Sequence, residues 1–390
     1  MNQSHGIERF IGNEKEFPVL RHWDFFNHAA VAPLTAAAAS ALRTFADQAE
    51  TVAYIDTGWY REISALRGTA ARLINATKEE IAFVKNTSEG IAIVASGVDW
   101  TADDRIVTTA VEYPANVYPW MEVVRSRAAE LVMVPEEPRG DGTRHVPVEK
   151  ILEAADHPRT RLVTLSHVEY ASGQRHDLAK VGAFCRARGI LFCVDAIQTL
   201  GVLPVDVKAM NIDYLSAGGH KWMLGPEGTG IFYCRAELLE QTRPPLIGWM
   251  NVADPLNYGK YDYTLRNDAR RYEPGSYNVG GLLALKASLD LLAPVGIDAI
   301  SKRVRNLTNR LVDGVRSKGY RVISPRDGES SSGIVSFTAP DPGQHQTIWH
   351  RLRQEHRTEI AVRENRLRCS PHFYNTDGQI DRLVERLPRQ

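Results

Sequence analysis

A single lysine held where the backbone turns tightly is suited to forming a Schiff base with an aldehyde cofactor. Lys221 is such a residue. It lies in Leu215-Ser-Ala-Gly-Gly-His-Lys221-Trp-Met-Leu-Gly-Pro-Glu-Gly-Thr-Gly230, between an apolar run and a glycine-rich turn that leads into a further run at 231–234. Upstream, Val194-Asp195-Ala196-Ile197-Gln198 puts a carboxylate at the end of another apolar run. A lysine and a carboxylate so placed match the two needs of pyridoxal phosphate: an amine for the aldehyde, and an anion that keeps the ring nitrogen protonated so the ring can act as an electron sink. A phosphate needs backbone amides and hydroxyls at a helix N-terminus. Asn86-Thr87-Ser88-Glu89-Gly90, ahead of an apolar helical stretch at 91–96, supplies them. The same residues would also serve as a plain N-cap, and the two roles are compatible.

The elements that must position these groups are legible as alternation. Apolar strand-like runs at 105–109, 131–134, 162–165, 190–194, 214–215 and 231–234 are separated by helix-like stretches such as 120–129 and 178–188. Continuous apolar strands between helices predict a mostly parallel sheet buried on both faces. Ligands in such folds bind at the carboxyl ends of the strands, where Asp195 and Tyr113 both fall. After about residue 274 the pattern changes to helices at 280–292 and 300–318 and short strand-like segments at 320–323, 333–337 and 367–370. Thr376-Asp-Gly-Gln379 is a capping-box pattern opening a last helix. This predicts a smaller α+β domain.

The whole chain bounds the function further. Its 390 residues suffice for a large core, and 47 Lys plus Arg balance 47 Asp plus Glu. No basic stripe argues for nucleic acid, no apolar run reaches the ~20 residues of a membrane span, and residues 1–9 lack the apolar core of a signal peptide. Cys185, Cys193, Cys234 and Cys369 are scattered without metal-ligand or disulfide spacing. The expectation is a cytoplasmic protein without metal, nucleic-acid or membrane partners.

With these motifs in this order, the chain resembles the class V aminotransferase-fold enzymes, which include cysteine desulfurases and isopenicillin N epimerase-like proteins. The resemblance runs from Phe26-Asn-His-Ala-Ala-Val-Ala-Pro33 to Tyr374-Asn-Thr376 and the final helix. It implies fold type I, with a seven-stranded-type sheet in a large domain at 31–275, an N-terminal segment at 1–30 lining the active site, and a small domain at 276–390. It implies pyridoxal phosphate held by Lys221, Asp195 at the ring nitrogen, Gln198 at the phenolic oxygen, Tyr113 over the ring, and Thr87, Ser88 and His220 at the phosphate. Relatives often carry a hydroxyl residue where Gly218 stands, so one usual phosphate contact is missing. Ser276 resembles a residue that reaches the phosphate from the second subunit, which implies a homodimer with shared sites. Arg368 matches the clamp on the α-carboxylate of an amino-acid substrate, with Asn27, His28 and Asn116 on the substrate side.

What is absent narrows the reaction. Cysteine desulfurases place a nucleophilic cysteine on a loop before the carboxylate-binding arginine; here 359–368 is short and contains none. Cys369 follows Arg368, so in a strand it points to the opposite face. Gly225-Pro-Glu-Gly-Thr-Gly230 has the wrong spacing for a dinucleotide fingerprint and runs into a strand. Transamination is the first expectation, because it requires only the lysine, the ring-nitrogen carboxylate and the clamp. Epimerisation would need a second proton donor from Tyr113, Tyr277 or His28, and carbon–sulfur lysis a leaving group on Cβ. A non-catalytic binding protein would have no use for Lys221, Asp195 and Arg368 together.

Overall fold

The computed structural model describes residues 4–389; the first three residues of the expected N-terminal segment lie outside it. The predicted alternation resolves into a seven-stranded sheet ordered Ile81–Val84, Gly230–Cys234, Tyr214–Gly218, Leu191–Asp195, Thr160–Ser166, Arg105–Thr109, Glu130–Val134. Pairing is parallel from Tyr214–Gly218 through to Glu130–Val134, while Gly230–Cys234 runs antiparallel to both its neighbours. The sheet is covered on both sides, so successive residues of one strand enter different cores. Phe192 and Val194 pack with the helices of one face, and Cys193 faces the other.

The helix Thr87–Gly97 is held close to the sheet by glycine. A Cβ on Gly90 would stand 2.2 Å from the Ser216 hydroxyl, so only a bare backbone lets the helix's first turns lie against Tyr214–Gly218. Asn86 caps the helix, its side chain accepting from the Glu89 amide at 2.9 Å.

A second, four-stranded antiparallel sheet orders Arg321–Val322, Val335–Thr338, Arg366–Cys369 and Ala361–Arg363, with its own core under Leu307, Leu311 and Ile380. The N-terminal segment packs here. Phe26 is buried in that core and Asp24–Phe25 pairs with Thr358–Glu359, while Phe17 stacks on Tyr374 in the large core, with ring centroids 3.8 Å apart. The last helix opens with the expected capping box, Thr376 and Gln379 bonding reciprocally.

One element sits differently from the sequence expectation. Val279–Leu292 packs on the helices Ala36–Thr51 and Trp59–Leu73, with Leu282, Leu285 and Leu289 in the large core. Its helical period could not reveal which body it covers. We propose that the small domain begins in the following helix, Ile297–Ser317, rather than at residue 276.

Candidate active site

Where the parallel strands end, a cavity of ≈ 420 Å³ opens, lined by Thr87, Ser88, Tyr113, Asp195, Gln198, His220, Lys221 and Arg368 together with Tyr170, Glu227 and Arg363. Its size is that of an ordinary small-molecule site. Asp195 is the last residue of its strand and buried. One carboxylate oxygen accepts from the Ile197 amide at 2.9 Å. Burial pushes its carboxyl up to about 6, partly offset by that bond and by the Lys221 charge. Asp195 therefore remains an anion at neutral pH.

Lys221 is presented by a compact turn. The Gly219 amide donates to the Thr229 carbonyl at 2.7 Å and the Gly225 amide to the Gly219 carbonyl at 2.9 Å. A Cβ on Gly219 would meet the Thr229 hydroxyl at 2.6 Å, and one on Gly225 the Leu285 side chain at 2.7 Å. The glycines are there so that the turn can lie flat under the lysine. Desolvation lowers the Lys221 ammonium to about 8; Asp195 opposes the shift, and Arg368 and Arg363 reinforce it. At pH 7 the neutral, nucleophilic amine is then about two orders of magnitude more abundant than for an ordinary lysine.

At the phosphate end, Ser88 is exposed on the first turn of Thr87–Gly97, a position favourable to an anion. The Thr87 hydroxyl accepts from the Gly218 amide at 2.9 Å and keeps its own proton to donate. A Cβ on Gly218 would stand 3.1 Å from the His220 ring, so the bare backbone there allows close approach of the imidazole. Tyr113 lies with its ring centroid 5.8 Å from Lys221 Nζ, half exposed and edge-on to Tyr170 at 5.1 Å. Gln198 is committed on both ends: its carbonyl oxygen accepts from Trp222 Nε1 at 2.9 Å and its amide donates to the Ala29 carbonyl at 3.0 Å, which leaves one N–H for the cavity.

Arg368 is buried on Arg366–Cys369. Its Nη1 donates to the Tyr170 carbonyl at 2.7 Å and its Nη2 to Asn27 Oδ1 at 3.5 Å, while Nε is buried without a partner. A guanidinium with an unmet donor beside a cavity is arranged for an incoming anion. Cys369 points the other way, into the small core, its thiol raised by burial. All four cysteines are free and buried.

Three residues expected on the substrate side do not line the cavity. His28 is buried away from the cavity, bonded to the Ser370 carbonyl at 2.9 Å and the Tyr374 hydroxyl at 2.6 Å. Asn116 is buried too, its oxygen accepting from Thr164 at 2.7 Å and Trp120 at 3.0 Å. Asn27 lines an adjoining depression with Ala30 and Val31, its oxygen accepting from Arg368 at 3.5 Å and its amide donating to Glu359 at 3.2 Å. Position along the chain placed all three near the site; which face each would show was not readable. Within one chain Ser276 lines a neighbouring depression, with Lys85, Glu89 and Gly228.

Sequence reasoning missed a buried acid layer beside Asp195. Glu112 accepts from the Ser166 amide and hydroxyl and Glu169 from Thr109 and His176 at 3.0 Å each. Burial raises both carboxyls, Glu169 to about 8. Glu169 is therefore neutral at pH 7, which leaves Asp195 as the anion beside it. Tyr170, Arg363 and Glu227 were missed as well. For Tyr170 the signal was present: it lies four residues past the strand Thr160–Ser166, just as Tyr113 lies four past Arg105–Thr109.

The residues fit pyridoxal phosphate: an anion at one end, a helix N-terminus with a free hydroxyl at the other, an acidified lysine between, and an aromatic ring beside it. Fold and site together define a fold-type I pyridoxal-phosphate enzyme. The "Aminotransferase class-V" profile matches residues 29–383, and the chain belongs to that family. It is 31% identical over 331 residues to a probable cysteine desulfurase of Pyrococcus abyssi, covering 82% of this chain and 80% of that protein. It is 30% identical over 344 residues to the isopenicillin N epimerase of Streptomyces clavuligerus, covering 84% and 85%. An apo cysteine desulfurase of Thermococcus onnurineus NA1 superposes with a TM-score of 0.85 at 24% identity, over 99% of this chain and 97% of that one, a likeness of fold.

Proposed function

We propose that this enzyme transaminates a small amino acid. The observation that carries the reading is the grouping of Lys221, Asp195 and Arg368 on one cavity with every cysteine buried outside it. Bound pyridoxal phosphate supplies the sink for the electrons left on Cα when its proton departs. The chain's own groups do the rest. Ser88, Thr87, His220 and the first-turn amides would hold the phosphate; Asp195 would keep the ring nitrogen protonated; the free N–H of Gln198 would serve the phenolic oxygen; and Tyr113 would lie beside the ring. Arg368 grips the α-carboxylate and so fixes which Cα bond faces the lysine. The Lys221 amine then moves the proton at Cα, a task suited to a group whose basicity is near the working pH.

The active unit in this reading is a homodimer, in which the partner subunit's Ser276 completes the phosphate cradle. The placement of Ser276 outside its own chain's cavity favours this. No single helix among the described residues is long and apolar enough to cross a membrane. Four free thiols suit a reducing compartment, and we place the enzyme in the cytoplasm.

Carbon–sulfur lysis is the second reading, favoured by relatives named as cysteine desulfurases. Buried Cys369 and the two-residue turn at 364 and 365 leave no cysteine to receive sulfur, so lysis here would release it free. Epimerisation would rest on Tyr113, since His28 is sealed in the core and Tyr277 lines the neighbouring depression with its hydroxyl donating to Glu273 at 2.7 Å. Holoenzyme mixed with amino acids and no keto acid separates these readings. Transamination yields one keto acid per site and leaves the cofactor in its amine form. Sulfide with continuous turnover, or inversion without keto acid, would overturn it.

A further inference from the structure

We propose that Arg363 is the residue that reads the substrate's side chain, and that this side chain carries a second carboxylate. The inference rests on the reading of Arg368 as the α-carboxylate clamp and names the substrate class that follows from it.

Arg363 ends the strand Ala361–Arg363. A two-residue turn follows, with Glu364 and Asn365 both at positive φ (46° and 54°), and returns the chain as Arg366–Cys369. Such a tight turn fixes register rigidly: Arg363 stands opposite Arg366, and Ala361 opposite Arg368. The carboxylates around this hairpin are already engaged. Arg366 turns to Glu136 at 3.6 Å. Glu364 accepts from the Tyr170 hydroxyl. Glu359 is held by Arg353 at 3.5 Å and by Asn27 at 3.2 Å. Among the described residues Arg363 has no ion-pair partner; its one hydrogen bond goes from Nη1 to the neighbouring Val362 carbonyl at 2.9 Å. Yet it lines the cavity alongside Arg368 and Lys221.

The charges on the cavity wall sharpen the point. Lys221, Arg363 and Arg368 line the cavity with two carboxylates, Asp195 and Glu227, while burial and the Lys221 charge lower His220 and keep it from adding to the positive side. Phosphate accounts for His220 and the helix terminus, the cofactor for Lys221 and Asp195, and the α-carboxylate for Arg368. Glu227 acts on His220 and makes no ion pair with Arg363 among the described residues, which leaves Arg363 as the unassigned cation of the wall. Its field lowers both Lys221 and Arg368, so the like charges work against one another until an anion enters. An apolar side chain would leave that guanidinium unmatched at the mouth, whereas a carboxylate can meet its fork with two parallel bonds. The Tyr170–Glu364 contact ties the turn to the cavity wall and holds both arginines on one rigid hairpin.

The test uses ligands without an amine, so that affinity is read apart from chemistry. Holoenzyme is titrated calorimetrically with succinate and glutarate and with the monocarboxylates butyrate and valerate. Wild type is expected to bind the dicarboxylates ~10-fold tighter or more. Arg363→Gln should bring that ratio to about one with monocarboxylate affinity unchanged, and Arg363→Lys should keep part of it. Arg363 is exposed, so the variants should fold, and circular dichroism checks it. Equal binding of both ligand classes by wild type, or a ratio retained in Arg363→Gln, would overturn the proposal. So would equal weakening of both classes, which would make Arg363 part of the α-carboxylate clamp. Arg368→Gln is the separate control: if monocarboxylates still bind to it, the clamp reading itself fails, whatever Arg363 does.

Discussion

Arg67 and Glu273 form a buried, bidentate ion pair whose removal should be felt in stability. Nη1 and Nη2 of Arg67 lie 2.7 and 3.0 Å from the two oxygens of Glu273, and Nη1 also donates to the Ile81 carbonyl at 2.6 Å. Glu273 accepts in addition from the Phe83 amide and the Tyr277 hydroxyl, each at 2.7 Å. The pair thus ties the helix Trp59–Leu73, the edge strand Ile81–Val84 and the segment bearing Ser276. In Arg67→Met the apolar stem is replaced, but a carboxylate is left buried with two neutral donors, which costs about 3–5 kcal/mol. In Arg67→Met/Glu273→Gln the charge is gone and the amide oxygen still serves Phe83. The main remaining loss is an acceptor without a donor at Ile81, about 1–3 kcal/mol. The double variant should therefore be more stable than Arg67→Met by about 2 kcal/mol, read from urea denaturation of the cofactor-free chain. A cost below 1 kcal/mol for Arg67→Met, or a double variant no better than the single one, would refute the reasoning.

Three further outcomes follow from the same structure. The rate at which cofactor-free enzyme takes up pyridoxal phosphate should rise through about pH 8, where Lys221 loses its proton. Arg368→Gln, which removes a charge that lowers Lys221, should move that midpoint upward in stopped-flow loading. Glu169, raised to about 8, is protonated in the folded chain over a range where the unfolded chain ionises it, so its contribution to stability is complete below about pH 4.5 and is lost as pH rises towards 8. Glu169→Gln should flatten the fall of melting temperature across that window; an unchanged slope would contradict the assignment. His176 and His372, both lowered to about 4, act in the opposite sense, and their contribution disappears as pH falls from 6.5 towards 4. His28→Ala should cost about 2–4 kcal/mol through its two lost bonds and the void, with carboxylate affinity unchanged in calorimetry; weakened ligand binding in a fully folded variant would restore it to the substrate side.

Strands buried on both faces announce themselves as continuous apolar runs, and this is why the runs at 190–194 and 162–165 fall within two residues of the ends of Leu191–Asp195 and Thr160–Ser166. The groups at their carboxyl ends then follow from one rule, which covers Asp195 and Tyr113. Ile81–Val84 escaped notice because four apolar residues are equally good as part of a helix. Its partner Gly230–Cys234 lies some 150 positions away, and neither its place nor its reversed direction is written locally. Facing was the harder matter. His28, Asn27 and Asn116 lie in the right segments, but one rotation of the backbone decides between cavity and core. Arg363 was hidden for another reason: among many arginines, only the strand register and the engagement of Glu359, Glu364 and Glu136 elsewhere single it out.

The central claim is that Lys221 is the covalent anchor of the cofactor, and reduction followed by peptide mapping tests it most directly. Holoenzyme treated with borohydride and digested should carry the pyridoxyl mass on the peptide containing Lys221 and on no other. In Lys221→Ala the mass should be absent, although Asp195, Ser88 and the helix terminus would still bind the cofactor reversibly. A modified peptide elsewhere in the chain, or an unchanged adduct in Lys221→Ala, would contradict the account.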